Sequence, residues 1–232
     1  DADDIFNLTE GLVKHVFRKL LDKDIKTPFK RLSYRDAVEK FCTDKPDTRF
    51  GMECCTVTEI AKSSEFKVFL EAIKKDGIVK VLNAEKCGEK LSRNQIDELI
   101  EFAKQNGAQG LAWMKVTKDG LESNIAKFFP QKVQKELLEK AKAKLGDLLL
   151  FAADSPKIVN DLLSKLRLKL ANSLGLIKEN EFDFCFITDF PMFEWNEDEQ
   201  KWDFAHNPFT MPKEEYWKDL EKEPGKVISY QY

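Results

Sequence analysis

Histidine and closely spaced cysteine pairs, the usual ligands of structural metal sites, are scarce in this sequence. Its 232 residues include two histidines and five cysteines. No two cysteines have the C-x-x-C spacing of a zinc or redox site. The adjacent Cys54 and Cys55 would point to opposite faces of a strand, so they make a poor chelate. We therefore expect no metal site, and thiols that are reduced as in intracellular proteins.

Long apolar runs and glycine-rich phosphate loops are also missing. No run has the length of a signal peptide or a membrane span, which predicts a cytoplasmic protein. Residues 107–110 (GAQG) precede a predicted strand and do not open a helix, so they are not a dinucleotide-binding fingerprint. No nucleophile–base arrangement stands out, which argues against an unrelated metabolic enzyme.

The composition is that of an ordinary globular protein. Hydrophobic residues make up 42% of the chain and include 18 phenylalanines, which is enough for one large core or two small ones. The net charge of −3 does not predict binding of nucleic acid through bulk charge. Nucleic-acid binding would need a local basic patch.

Hydrophobic periodicity predicts an α+β fold. A helical pattern covers residues 5–22, and helices then alternate with strands from about residue 58 onward. Because the connection over residues 118–130 is long and irregular, we favour a mainly antiparallel sheet over a doubly wound parallel one. The aromatic-rich ends complete no layer alone, whereas the middle can close its own core. We therefore predict an inserted domain at 58–177, flanked by residues 1–57 and 178–232 of another domain.

A phenylalanine-rich stretch near the C-terminal end is the most distinctive local feature. Phe182, Phe184, Phe186 and Phe190 alternate with other residues, which predicts a half-buried strand that ends at a proline-bounded turn. A second strand at 202–206 would follow an acidic loop, form a hairpin with the first and present His206 at the surface. From the pattern alone, an ordinary surface histidine and a functional one are about equally plausible.

Several motifs together resemble those of bacterial-type aspartyl-tRNA synthetases. Residues 43–51 (TDKPDTRFG) are similar to their S-D-K-P-D-x-R-F-G segment, residues 189–195 (DFPMFEW) to D-F-P-L-F-E-W, and residues 206–210 (HNPFT) to H-H-P-F-T. Residues 7–12 (NLTEGL) resemble the helix that follows the second class II motif. Residues 109–116 (QGLAWMKV) and 166–170 (LRLKL) resemble the GAD domain inserted in that family.

The resemblance implies a part of a class II ligase that activates aspartate with ATP and transfers it to the 3′ end of tRNA. It implies ATP and Mg²⁺ as requirements of the whole enzyme, a homodimeric assembly, and parts of an antiparallel catalytic sheet on either side of the GAD domain. The three class II motifs do not occur in the sequence. The chain alone is therefore expected to be inactive, to hold no cofactor and to contain no catalytic residue.

The same resemblance suggests which residues bind substrate. His206 occupies the position of the family's first histidine in H-H-P-F-T, which contacts the substrate aspartate. Asn207 replaces the second histidine; it can hydrogen-bond but cannot titrate, so a proton-dependent role is not expected there. Lys45 and Arg49 could lie near the aspartate carboxylate or the tRNA, although structural salt bridges are the favoured interpretation.

A second hypothesis is a stand-alone GAD-type module that binds tRNA or a protein partner without catalysis. Its basis is the lysine-rich stretch from Lys127 to Lys144. A solvated helix face, balanced by Glu136 and Glu139, is the favoured interpretation of that stretch. If the lysines bind RNA, affinity should fall steeply with salt.

Overall fold

The fold is known from a computed structural model that describes residues 1–206 and 208–230. The chain divides into two compact units. The flank unit comprises residues 1–37 and 182–230, and the central unit comprises residues 38–181. Helix α2 (Tyr34–Phe41) crosses the first boundary along the chain.

The central unit is built on a five-stranded sheet in which every pair of neighbours is antiparallel. The strand order is β2-β3-β6-β4-β5, with β6 in the middle. The predicted α+β class with a mainly antiparallel sheet is therefore confirmed. The strands are β2 (Cys54–Thr56), β3 (Ile78–Ala84), β4 (Ala112–Thr117), β5 (Gly120–Glu122) and β6 (Leu148–Asp154).

Helices cover both faces of this sheet, which explains why β6 is an almost continuous apolar run. Leu148, Leu150 and Ala152 face one apolar cluster, which includes residues of α5 and α7. Leu149 and Phe151 face a second cluster, which includes residues of α3, α4 and α6. Successive side chains of a strand point to opposite faces, so a central strand between two helical layers must be apolar throughout. The helices are α3 (Thr58–Ala61), α4 (Lys67–Lys74), α5 (Arg93–Gln105), α6 (Gln131–Lys140) and α7 (Pro156–Ser173).

Local signals set several helix ends in the central unit. Ser92 and Gln95 form a reciprocal capping box at the start of α5, as serine before a helical pattern predicts. Pro156 is the first residue of α7, where its missing N–H costs nothing, although Ser155 makes no side-chain capping bond. Helix α6 ends at Lys140.

The flank unit contains one long helix and two small sheets. Helix α1 begins after the capping box of Asp1 and Asp4 and covers Ala2–Leu21. Strands β1 (Lys30–Ser33) and β7 (Cys185–Thr188) pair in parallel, with Lys30 opposite Cys185. The apolar contacts are largely aromatic: ring centroids lie 4.5 Å apart for Phe6 and Phe186 and 5.1 Å apart for Phe29 and Phe184.

The hairpin differs from the sequence-based prediction. It is formed by β8 (Phe193–Asn196) and β9 (Lys201–Phe204), and not by the phenylalanine-rich strand. That strand is β7, which ends at Thr188 and pairs with β1. Proline cannot donate a ladder hydrogen bond, and Pro191 separates β7 from β8. The turn is stabilised by Asn196, whose side-chain oxygen accepts hydrogen bonds from two backbone N–H groups at 3.1 Å.

Among the described residues, no helix combines the length and apolar character that a membrane span requires.

Candidate functional site

His206 lies in the flank unit, two residues beyond the end of β9, and its side chain is exposed. Its imidazole contacts the ring of Phe190 edge-on, with centroids 5.0 Å apart. Phe190 is 6% exposed, and its backbone carbonyl accepts hydrogen bonds from the N–H and Oγ of Ser229 at 2.9 and 3.1 Å. The histidine is thus an exposed donor and acceptor packed against an anchored, buried ring.

Asp189, which precedes Phe190, forms an ion pair with Lys213. Its carboxylate accepts hydrogen bonds from Lys213 Nζ and, at 2.8 Å, from Thr188 Oγ1. The hydrogen bond from Lys213 holds the pKa of Asp189 below its usual value, and the same bond raises the pKa of Lys213. Asp189 has φ of 60°, a left-handed conformation that is uncommon for a residue with a side chain.

A cleft of about 460 Å³ opens beside this ion pair. Polar and charged side chains of both signs line it, together with two aromatic rings. A cleft of this size and mixed polarity can hold a small zwitterionic or phosphorylated molecule. Its lining includes Asp3, Phe6, Arg31, Asp189, Lys213 and Tyr230.

In the central unit, Arg49 is engaged in a bidentate ion pair. Its Nε and Nη2 donate to the two carboxylate oxygens of Asp47 at 3.0 and 2.6 Å, and Nη1 donates to the carbonyl of Glu181 at 3.3 Å. The hydrogen bond from Arg49 lowers the pKa of Asp47. Lys45 is exposed. The structure therefore places Arg49 in the kind of salt bridge that the sequence favoured.

Arg167 is a residue that sequence reasoning did not single out for a role. It is 2% exposed and lies on the buried face of α7. Its guanidinium donates to the carbonyls of Phe50, Gly51 and Met52 at 3.0 to 3.1 Å, and it stacks over the rings of Phe41 and Phe50. Arg167 thus anchors the end of the 43–51 segment. The signal in the sequence was that Arg167 occupies a position of α7 where the apolar periodicity predicts a buried residue.

The lysine-rich stretch is partly neutralised. Lys132 lies 4.0 Å from Glu136, and Lys142 lies 3.6 Å from Glu53. Such exposed pairs contribute little to stability, but they reduce the positive charge available to a polyanion.

Two further expectations concern Asn207 and metal binding. Asn207 lies outside the described residues. Within residues 1–206 and 208–230, no group of three or more histidine, cysteine, aspartate or glutamate side chains is arranged to hold a metal ion.

Comparison with protein-family models finds a match within the central unit. Residues 69–163 match the model of the GAD domain. Its match covers most of the five-stranded sheet, from within α4 to within α7.

The similarity to known proteins extends over the whole chain. An aspartate--tRNA(Asp/Asn) ligase of Geotalea uraniireducens is 44% identical over all 232 residues. An aspartate--tRNA ligase of Agathobacter rectalis is also 44% identical over the whole chain. An aspartate--tRNA(Asp/Asn) ligase of Aquifex aeolicus is 46% identical over 92% of the chain. The chain spans 39% of the length of the first two relatives and 35% of the third.

Proposed function

We propose that this chain is a segment of an aspartate–tRNA ligase, which activates aspartate with ATP and transfers it to the 3′ end of tRNA. The observation that carries the proposal is the 44% identity to such ligases, which extends through both units and not only through the GAD domain. In this proposal residues 58–177 form the inserted GAD domain. Residues 1–57 and 178–232 belong to the catalytic domain.

His206 is proposed to bind the substrate aspartate. Its imidazole is exposed, while its ring contact with the buried Phe190 restrains its position. A positioned imidazole can hydrogen-bond a charged amino-acid group. Asn207 is proposed as a neighbouring polar contact. Lys45 remains a candidate for contact with aspartate or tRNA, and Arg49 a weaker one because Asp47 already engages it.

The assembly follows from the same proposal. The complete enzyme would act on tRNA in the cytoplasm as a homodimer, with ATP and Mg²⁺. Electrostatic positioning of phosphates dominates such phosphoryl and acyl transfers.

The test compares the full-length protein that carries this segment with the 232-residue chain. Aspartate-dependent exchange of pyrophosphate into ATP measures activation, and charging of tRNA measures transfer. We expect both activities in the full-length protein and neither in the chain alone. Exchange that depends on another amino acid and not on aspartate would overturn the proposal.

A substitution tests His206 in the full-length protein. A lost hydrogen bond to a charged group is worth about 1.5–3 kcal/mol. His206→Ala should therefore raise KM for aspartate by about 10- to 150-fold. The matched control is His15→Ala, since His15 is the other histidine and lies exposed on α1. Equal KM values for His206→Ala and the control would show that His206 does not bind aspartate.

A further inference from the structure

A buried lysine lies beside a buried cysteine in the central unit. Lys80, on β3, is 2% exposed. Its ammonium donates to the carbonyl of Val38 at 2.7 Å and to Oδ1 of Asn160 at 3.1 Å, and it lies 3.6 Å from the carboxylate of Glu39. Its remaining polar neighbour is the sulfur of Cys42, 3.7 Å from Nζ. A buried cation next to sulfur favours the thiolate form of that cysteine.

A second buried cysteine, Cys54, belongs to the same apolar cluster as Cys42. Cys54 pairs with Leu82 across the β2–β3 ladder, so it lies on the face of the sheet that also carries Lys80. Cys42 and Cys54 belong to one apolar cluster and are 4% and 3% exposed. Interaction with the Cys54 thiol, followed by the charge of Lys80, lowers the pKa of Cys42. The neighbouring Cys42 and burial raise the pKa of Cys54.

A cleft lies beside one member of this pair. It has a volume of about 430 Å³, and Glu39, Lys40, Cys54 and Cys55 lie along it. A small oxidant would therefore have to enter past Cys54 to reach Cys42. Larger thiol reagents should be excluded, because both sulfur-bearing residues are almost fully buried.

We propose that Cys42 and Cys54 form a peroxide-sensitive thiol pair that closes to a disulfide, with Lys80 as the cation that activates Cys42. The Cys42 thiolate attacks one oxygen of hydrogen peroxide. An S–O bond forms, the O–O bond breaks, and hydroxide leaves and takes up a proton to become water. The Cys54 sulfur then attacks the Cys42 sulfenic acid: the S–S bond forms, the S–O bond breaks, and the hydroxyl leaves as water with the thiol proton. In total, two thiols and one peroxide become one disulfide and two waters.

The disulfide would tie the residue after α2 to the first residue of β2. It would close residues 43–53 into a loop, and this segment contains Lys45 and Arg49. Thiol–disulfide chemistry is reversible, so oxidation would constrain this segment and reduction would release it.

The first test uses the unmodified 232-residue chain. It is treated with hydrogen peroxide, digested without reduction and mapped by mass spectrometry. We expect a peptide in which Cys42 is linked to Cys54 to appear before oxidation of Cys55 or Cys185, although both of these are more exposed. Oxidation of Cys55 and Cys185 while Cys42 and Cys54 stay reduced would overturn the proposal.

Variants separate the two steps. In Cys54→Ser, Cys42 should stop at the sulfenic acid, which a cyclic diketone probe labels. Lys80→Met should slow formation of the disulfide relative to the wild type, because loss of the neighbouring cation lowers the thiolate fraction of Cys42. Lys140→Met, which removes a lysine that lines the cleft, is the matched control and should leave the rate unchanged. Circular dichroism checks that Cys54→Ser is folded. If Cys42 of this folded variant is not labelled, the scheme is contradicted, whatever the result for Lys80→Met.

Discussion

Replacement of Arg167 by methionine should destabilise the central unit by about 2–4 kcal/mol. The guanidinium is the hydrogen-bond donor for the carbonyls of Phe50, Gly51 and Met52, and it stacks on Phe41. An acceptor left unsatisfied in the interior costs about 1–3 kcal/mol. Two of the three residues are buried and Gly51 is exposed, so the gross loss is about 2–6 kcal/mol. Removing a buried charge recovers part of its desolvation cost, which lowers the expected net value.

Hydrogen exchange in increasing urea measures the loss of stability within the central unit itself. The amides of β3 and β6 report on unfolding of the central unit, since these strands form the middle of its sheet. Arg167→Lys should lie between wild type and Arg167→Met, because lysine keeps the charge but lacks the planar fork. The matched control is Arg93→Met, which removes an exposed arginine 3.1 Å from Asp97 and should change the free energy of unfolding by less than about 0.5 kcal/mol.

An equal, small effect of Arg167→Met and Arg93→Met would refute the reasoning. It would mean that the carbonyls at residues 50–52 find water or other donors without cost. Loss of protection confined to the 43–52 segment, with β3 and β6 unchanged, would show that Arg167 orders the segment but does not stabilise the sheet.

Two other predictions concern backbone packing and pH. Gly77→Ala should lower the free energy of unfolding by about 1–3 kcal/mol, since a Cβ there would lie 2.7 and 2.8 Å from two backbone carbonyl oxygens. Gly110→Ala is the control in the same urea experiment, because a Cβ at Gly110 has no heavy atom within 4 Å. For the ion pair in the flank unit, the lowered pKa of Asp189 means that its stabilisation is complete above about pH 4 and is lost as pH falls through the folded-state value. The raised pKa of Lys213 means that its share is complete below about pH 10 and is lost as pH rises further. Asp189→Asn should thus lower the free energy of unfolding by about 0.5–1 kcal/mol at pH 7, a value discounted for solvent exposure. Near pH 2, thermal unfolding should show no difference between the variant and the wild type. A difference that persists at pH 2 would contradict the assignment of this stabilisation to the charged Asp189.

Local chemistry allowed much of the central unit to be predicted from the sequence. Periodicity identified its strands and helices, because apolar residues must recur at the period of the element that buries them. The capping signal at Ser92 placed the start of α5, since that interaction spans only three residues. The motifs at 43–51 and 109–116 indicated the family, and the similarity over the whole chain supports that interpretation. These inferences depend on residues close together in the chain.

The same reasoning explains what could not be predicted from the sequence. Periodicity revealed an apolar stripe on α1, but Leu8, Leu12 and Leu20 are 61 to 76% exposed, whereas Phe6 and Glu10 are buried. Glu10 is buried because its carboxylate accepts a hydrogen bond from the distant backbone N–H of Phe29 at 2.9 Å. The residue pattern of α1 cannot reveal this partner, because Phe29 lies outside the helix.

Long-range pairing also decided the strands and the buried charges. Strand β7 lies within the stretch predicted as a strand, yet its partner β1 lies about 150 residues earlier in the chain, and the hairpin forms from β8 and β9 instead. Lys80 and Arg167 interrupt apolar patterns, and only the folded chain shows the carbonyls that satisfy them. The sequence by itself indicated most helices and strands and the resemblance to aspartyl-tRNA synthetases. Tertiary structure decided which faces are buried and which charges are paired, because those outcomes depend on groups that folding brings together from distant parts of the chain.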